Sequence, residues 1–198
     1  MTNKELQTIK QLFTGKQLIV LEGRPNSGKT KTLFELARQL AKALQGCQQC
    51  CIDAAFDTFI NSDYSCSDIR IVLSVRSKFV YLSSHGDDLI NIDNNLKFFT
   101  CTLDHSLHLY LAHEKGLKRI NWRDLSKYPP SVCITACSYP QSGKNKTMAE
   151  QMRTELKSID INGIWIEKKR GIKQPNGFSN EDYQTINDII ARIDKLII

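Results

Sequence analysis

Apolar residues recur along the chain in two periods, one typical of strands and one typical of helices. A short apolar run at 17–22 predicts a buried strand, and apolar residues at helical spacing over 31–44 predict a helix after it. The same patterns predict strands at 69–75, 79–84, 132–137 and 162–167, and helices at 1–16, 89–99, 104–115, 147–158 and after Ser179. The helix at 89–99 contains a predicted break at 93–95.

Strands 69–75 and 79–84 are separated by only three residues, which predicts an antiparallel hairpin. The second strand is apolar nearly throughout, so we expect it to lie nearer the centre of the sheet. The remaining strands alternate with helices, which favours parallel pairing. The predicted fold is α/β with three layers and a mixed, mainly parallel sheet, in a single domain over 1–198.

Composition narrows the class of protein. The chain has 198 residues, of which 41% are hydrophobic, and no apolar run is long enough to cross a bilayer. The N-terminus has no secretory core, so we expect a cytoplasmic protein whose seven cysteines are reduced thiols. The net charge of +6 suits an anionic partner, which a nucleotide alone could satisfy; nucleic acid is possible but not required.

One stretch, between the predicted strand at 17–22 and the predicted helix at 31–44, has a sequence typical of an anion-binding loop. It reads Gly23, Arg24, Pro25, Asn26, Ser27, Gly28, Lys29, Thr30. Glycines at both ends let successive N–H groups point at a phosphate, and the helix N-terminus adds its positive end to the same anion. Lys29 is predicted to reach the β- and γ-phosphates, and the Thr30 hydroxyl to hold Mg²⁺.

This stretch, with its strand and helix, resembles the Walker A motif of the P-loop NTPase superfamily. The resemblance covers 17–44 closely and the rest of the chain only as alternating strands and helices. It implies binding of ATP or GTP with Mg²⁺, a three-layer α/β fold and phosphoryl-transfer chemistry. It identifies no subfamily.

An acidic turn follows the strand at 79–84. Ligands in open α/β sheets bind at the carboxyl ends of strands, so Gly86, Asp87 and Asp88 should face the phosphate loop. We expect Asp87 to serve as the catalytic and Mg²⁺-binding acid, Gly86 to offer an N–H to the γ-phosphate, and Asp88 to cap the next helix. This prediction assumes that the strand at 79–84 adjoins the strand that carries the loop.

The sequence is less specific about the roles of the other polar residues. Segments 52–67 and 139–146 are expected to flank the nucleotide. Cys47 and Cys50 form a C-x-x-C pair, for which ordinary thiols are favoured over zinc. His105, His108 and His113 fall on the predicted helix at 104–115 and are interpreted as solvated or packed side chains. Trp122 and the basic residues around it are interpreted as surface with one packed ring.

Three functions remain open from the sequence. The preferred one is an Mg-dependent ATPase that drives a conformational switch or a protein-partner interaction. The second is a nucleotide or small-metabolite kinase, although no arginine-rich lid is visible. The third is a nucleotide-regulated nucleic-acid-binding module, suggested by the basic stretch from Lys144 to Lys173. GTP is disfavoured, because Met148 stands where a guanine-reading carboxylate is expected after Asn145 and Lys146.

Overall fold

The computed structural model describes most of the chain. The described residues are 2–24, 27–42, 70–75, 78–85, 89–104, 109–113, 116–138, 148–168 and 178–197. Their helices are α1 (Asn3–Phe13), α2 (Lys29–Lys42), α3 (Leu89–Phe99), α4 (Met148–Ser158) and α5 (Asn180–Ile197), with a 3₁₀ helix at Trp122–Lys127. Their strands are β1 (Gln17–Gly23), β2 (Arg70–Val75), β3 (Lys78–Ser83), β4 (Leu109–His113), β5 (Gly116–Arg119), β6 (Pro130–Ser138) and β7 (Gly163–Glu167).

The seven described strands form one mixed sheet in the order β5-β4-β2-β3-β6-β1-β7. Strand β1 is parallel to β6 and β7, β6 is parallel to β3, and β2 is parallel to β4. The pairs β2–β3 and β4–β5 are antiparallel. The predicted hairpin and the central place of its second strand are therefore confirmed, together with the mixed, mainly parallel sheet.

Helices cover both faces of this sheet. Helices α2 and α5 pack on one face, where Leu36 and Ile189 are fully buried. Helices α1, α3 and α4 pack on the other face, around buried Phe99 and Met152. Strand β1 contributes side chains to both cores alternately, which explains why its four central residues, 18–21, are all apolar. No helix of the described part is long and apolar enough to cross a membrane.

The predicted helix at 104–115 is wrong in its described part. Leu109–His113 and Gly116–Arg119 form the hairpin β4–β5 at one side of the sheet. Side chains of β4 alternate between the two cores, since Leu109 packs on one face and Ala112 on the other. A strand buried on both faces is apolar at every position, so its sequence cannot be told from a helix by periodicity. Gly116, directly after the predicted helix, is the first residue of β5.

Two further expectations are corrected. Helix α3 runs from Leu89 to Phe99 without the predicted break, and the Asn95 side chain within it makes buried hydrogen bonds to Ser83 and His85. Strand β3 does not adjoin β1, because β6 lies between them and pairs with both. If β3 paired directly with β1, Ser84 and His85 would lie closer to β1. They are farther away by one strand spacing, about 4.8 Å.

Candidate phosphate-binding site

The predicted phosphate loop joins the end of a strand to the start of a helix, which is the placement that the sequence predicts. Gly23 ends β1 and Lys29 begins α2. The Ser27 N–H donates to the Arg24 carbonyl at 3.2 Å, and the Thr32 N–H donates to the Gly28 carbonyl at 2.9 Å. The first bond is a turn within the loop, and the second opens the helical ladder. Pro25 and Asn26, also predicted to bind phosphate, lie outside the described residues.

The two glycines are required for different physical reasons. A Cβ on Gly23 would lie 2.8 Å from Ser27 Oγ and 2.9 Å from the Lys168 carbonyl oxygen, so a larger residue cannot fit there without movement. Gly28 has open space around it but a φ of +86°, which side chains disfavour. Gly23 therefore permits close packing below the loop, and Gly28 permits the backbone to turn into α2.

Lys29 lies inside the curve of the loop. Its side chain is buried, and Nζ donates to the Gly23 carbonyl at 3.3 Å and to the Arg24 carbonyl at 3.0 Å. A buried ammonium beside a helix N-terminus makes this point of the surface attractive to an anion. Thr30, in the same first turn of α2, is half-buried.

Ser27 provides a second indication of a ligand. The residue is 8% exposed, and its Oγ has no hydrogen-bond partner in the part of the chain that the structure describes. Buried hydroxyl groups are nearly always hydrogen-bonded, because an unmade bond costs about 1–3 kcal/mol. A phosphate oxygen in the loop could accept from this hydroxyl.

The end of β1 is fixed by an ion pair on the α4 face. Glu22 Oε2 accepts from Arg153 at 2.6 Å, and the Arg153 guanidinium lies 4.2 Å from the centre of the Trp165 ring. Cys137 is the register partner of Glu22 on β6. Burial raises the pKa of the Cys137 thiol to about 12, so this group stays protonated and is not a nucleophile.

A second ion pair fixes the loop from the α5 side. The Lys168 N–H donates to the Glu22 carbonyl at 2.6 Å, and Lys168 Nζ lies 2.6 Å from Asp182 Oδ1. Thr32, in the first turn of α2, donates through Oγ1 to the same Asp182 oxygen at 3.2 Å. Asp182 therefore links the strand end and the helix start that flank the loop. Burial alone would raise the pKa of Asp182, but hydrogen bonds from Lys168 and Ser179 outweigh it and hold that pKa below its usual value.

A buried polar network lies farther along the same edge of the sheet. Asn95 accepts from Ser83 Oγ at 2.6 Å and donates to the His85 carbonyl at 2.7 Å and to Thr135 Oγ1 at 2.9 Å. Arg70 donates to the same amide oxygen at 3.4 Å. Because β2 runs antiparallel to β3, its first residue, Arg70, reaches the edge where β3 ends.

Several predicted site residues lie outside the described part of the chain. These are Gly86, Asp87 and Asp88, the C-x-x-C cysteines Cys47 and Cys50, and the segments 52–67 and 139–146. Ser138, which precedes the second segment, is the register partner of Gly23. No group of three or more metal-binding side chains occurs among the residues that are described. The three described cysteines, Cys101, Cys133 and Cys137, are free thiols, as predicted.

Four residues that support the site were not predicted: Asn95, Arg153, Lys168 and Asp182. Asp182 has a visible sequence signal, since Ser179 and Asp182 have the spacing of a helix cap and make reciprocal bonds of 2.6 and 3.1 Å at the start of α5. That pattern does not reveal the ion pair with Lys168, which depends on how α5 packs beside β7. Arg153 and Asn95 have no sequence signal, because both act across elements.

Comparison with known proteins does not identify a family for this chain. No family model matches the chain, and no curated protein or solved structure matches it either. The functional argument therefore depends on the geometry of the loop and of the residues that hold it.

Proposed function

We propose that this chain is a P-loop NTPase that binds ATP with Mg²⁺ and hydrolyses it to drive a conformational switch or a partner interaction, in the cytoplasm. The observation that carries the proposal is the loop from Gly23 to Thr30. It combines a buried lysine, a positive-φ glycine at the helix start and a buried serine hydroxyl with no described partner. Together these groups suit a polyphosphate better than any neutral ligand.

The residues have separate tasks in this proposal. Lys29 exchanges its bonds to the loop carbonyls for bonds to the β- and γ-phosphates, and the Ser27 hydroxyl and loop N–H groups hold the remaining oxygens. The Thr30 hydroxyl would ligate Mg²⁺, which supplies charge neutralisation to the transferring phosphoryl group when bound. Asp87 stays the predicted acid for the metal and the attacking water.

Phosphoryl transfer to an acceptor is the second candidate. The observation in its favour is that two arginines, Arg70 and Arg153, lie at the carboxyl edge of the sheet although the sequence showed no arginine-rich lid. Cations at this edge could stabilise charge on a transferring phosphoryl group. For the nucleic-acid alternative, Lys168, within the basic stretch that suggested it, is buried against Asp182 and so does not present its charge to a partner.

A first prediction tests the phosphate loop. Lys29→Ala should abolish ATP binding while the fold persists, because the ammonium contributes charge to the ligand and little apolar area to the core. Calorimetry with ATP and Mg²⁺ measures the binding, and circular dichroism checks the fold. Lys42→Ala, at the other end of the same helix, serves as the matched control and should bind as the unmodified protein does. Unchanged affinity in Lys29→Ala contradicts the proposal.

Labelled ATP then separates the candidate reactions. Release of phosphate without an acceptor indicates an ATPase. Transfer of label to a member of a panel of nucleoside monophosphates and metabolites indicates a kinase. Binding without either reaction indicates a nucleotide-regulated module, which stimulation by added nucleic acid would identify further.

A further inference from the structure

A cavity of about 370 Å³ lies at the edge of the sheet opposite the proposed phosphate loop. Two turns line it: residues 14–17, which lead from α1 into β1, and residues 159–162, which lead from α4 into β7. Strands β1 and β7 are adjacent and parallel, so their starting turns lie side by side. Strand β1 has seven residues, which places the cavity about 20 Å from the loop at its other end.

Hydrogen-bonded helix ends hold both turns in place. Gly15, after α1, has a φ of +77°, and Asp160, after α4, has a φ of +53°. The Lys16 N–H donates to the Phe13 carbonyl at 3.0 Å, and the Asp160 N–H donates to the Lys157 carbonyl at 3.3 Å. These are the left-handed turns that commonly end helices. The cavity therefore lies between two ordered pieces of backbone, and its volume is within the range of small-molecule sites.

The charged side chains of the cavity are not used equally. Lys10 Nζ lies 2.5 Å from Asp160 Oδ2, and this hydrogen bond holds the pKa of Asp160 below its usual value. Lys16 Nζ donates to the Leu12 carbonyl and lies 6.0 Å from the centre of the Phe13 ring, but among the described residues it pairs with no carboxylate. An ammonium group has three N–H donors, so Lys16 can still donate to an anion.

The rest of the lining combines apolar and amide side chains. Phe13, Ile159 and Ile161 are buried, and they form the apolar part of the cavity. Gln17, the first residue of β1, and Asn162, directly before β7, are exposed. Their amides can donate and accept hydrogen bonds. The cavity thus offers an ammonium and two amides beside an apolar surface.

We propose that this cavity binds a small organic anion, whose carboxylate pairs with Lys16 and whose apolar body packs against Phe13, Ile159 and Ile161. An inorganic anion would leave the apolar surface in contact with water, and a neutral molecule would leave the Lys16 charge without a counter-charge. The site is separate from the proposed nucleotide site, and the inference does not rest on the proposed function.

The test uses benzoate as the probe. Benzamide has the same shape without the charge, and acetate has the charge without the apolar body. Backbone amide NMR shifts of the whole chain report where each compound binds and how tightly. We expect benzoate to shift the amides of Gly15, Lys16, Asp160 and Asn162, with saturation in the millimolar range that suits so small a ligand. Benzamide and acetate should each bind about tenfold more weakly.

Two variants should change benzoate affinity in opposite directions. Lys16→Met keeps an unbranched side chain but removes the charge, and it should weaken binding about tenfold. Asp160→Asn releases Lys10 from its pair, and asparagine tolerates a positive φ, so binding should tighten about threefold. Benzamide affinity should stay the same in both variants. Lys4→Met is the control, because it removes an exposed charge at the other end of α1 and should leave benzoate affinity unchanged.

Several outcomes would overturn the inference. These are the absence of saturable shifts at the four amides, a benzoate response centred elsewhere in the chain, and equal binding of benzoate and benzamide. Equal binding of benzoate and acetate would overturn the role of the apolar surface. Unchanged benzoate affinity in Lys16→Met contradicts the assigned counter-charge. If Lys16→Met does not fold, Asp160→Asn decides alone, and weaker or unchanged benzoate binding in that variant overturns the inference.

Discussion

At the scale of single residues, the proposed phosphate loop depends on two glycines whose constraints differ. Gly23 is enclosed, with Ser27 Oγ and the Lys168 carbonyl where a Cβ would be. Gly28 is open, and only its φ of +86° excludes a side chain. One constraint is steric and acts on packing; the other is conformational and acts on the backbone.

The difference between these glycines gives a prediction. Gly23→Ala should lower the free energy of unfolding by about 3 kcal/mol, since a backbone carbonyl must move to admit the methyl group. Gly28→Ala should lower it by only about 1 kcal/mol, the cost of a left-handed conformation. Gly28→Ala should nevertheless weaken ATP binding, because its new methyl group lies in the open space above the loop.

Urea unfolding measures both glycine variants. Gly15→Ala is the control, because Gly15 also has a positive φ, +77°, and nothing within 4 Å of its Cβ position, but it lies before β1. It should match Gly28→Ala in stability and retain full ATP affinity. Equal destabilisation by Gly23→Ala and Gly28→Ala would contradict this account of the loop.

At the scale of elements, the start of α5 holds the start of α2. Asp182 belongs to the cap of α5, pairs with buried Lys168 after β7 and accepts from Thr32 on α2. Buried ion pairs add little net stability over apolar replacements, but breaking one leaves a charge without compensation. The pair therefore fixes how α2, β7 and α5 meet beside the loop.

We predict that Asp182→Asn destabilises the protein by about 3 kcal/mol at neutral pH, because it removes the carboxylate that lies 2.6 Å from the buried Lys168 ammonium. Adding Lys168→Met should recover part of that loss, since both charges are then gone. ATP affinity should stay reduced in the double variant, because the link to Thr32 remains weakened. Urea unfolding and calorimetry measure the two quantities. Asp188→Asn, an exposed carboxylate on the same helix, is the control.

The pH dependence of the same pair has a definite sign. The pKa of Asp182 is lower in the folded state than in the unfolded chain, where the pKa of an aspartate is about 3.9. Its contribution to stability is therefore present above about pH 4 and is lost as pH falls through the folded-state pKa. Asp182→Asn should flatten the acid limb of the stability curve. An acid limb identical to that of the unmodified protein would contradict the role of this carboxylate.

At the scale of the whole molecule, one sheet carries two cores. Residues of β1, such as Ile19 and Val20, enter opposite cores, so neither core can come apart without disturbing the same strand. We expect one cooperative thermal transition, with equal calorimetric and van't Hoff enthalpies. Excess ATP should raise its midpoint, because the ligand binds only the folded state. Two separate transitions would contradict the predicted single-domain organisation.

The sequence by itself determined the local features of this protein. The strand before the loop, the glycine positions, the start of α2, the β2–β3 hairpin and the cap at Ser179 all depend on residues close together in the chain. Backbone conformation and short-range hydrogen bonds fix such features, so a single sequence contains enough information to predict them. Loop and hairpin were therefore predicted correctly in their described parts.

Tertiary structure alone decided the rest. Whether Leu109–Ala112 forms a helix or a strand depends on the open edge of β2, and the place of β6 between β1 and β3 depends on pairing across the whole sheet. Arg153 and Asp182 gain their roles from partners 131 and 150 residues away in sequence. The pairing of distant strands depends on how well both faces of the whole sheet are buried. A local pattern of residues therefore cannot predict it.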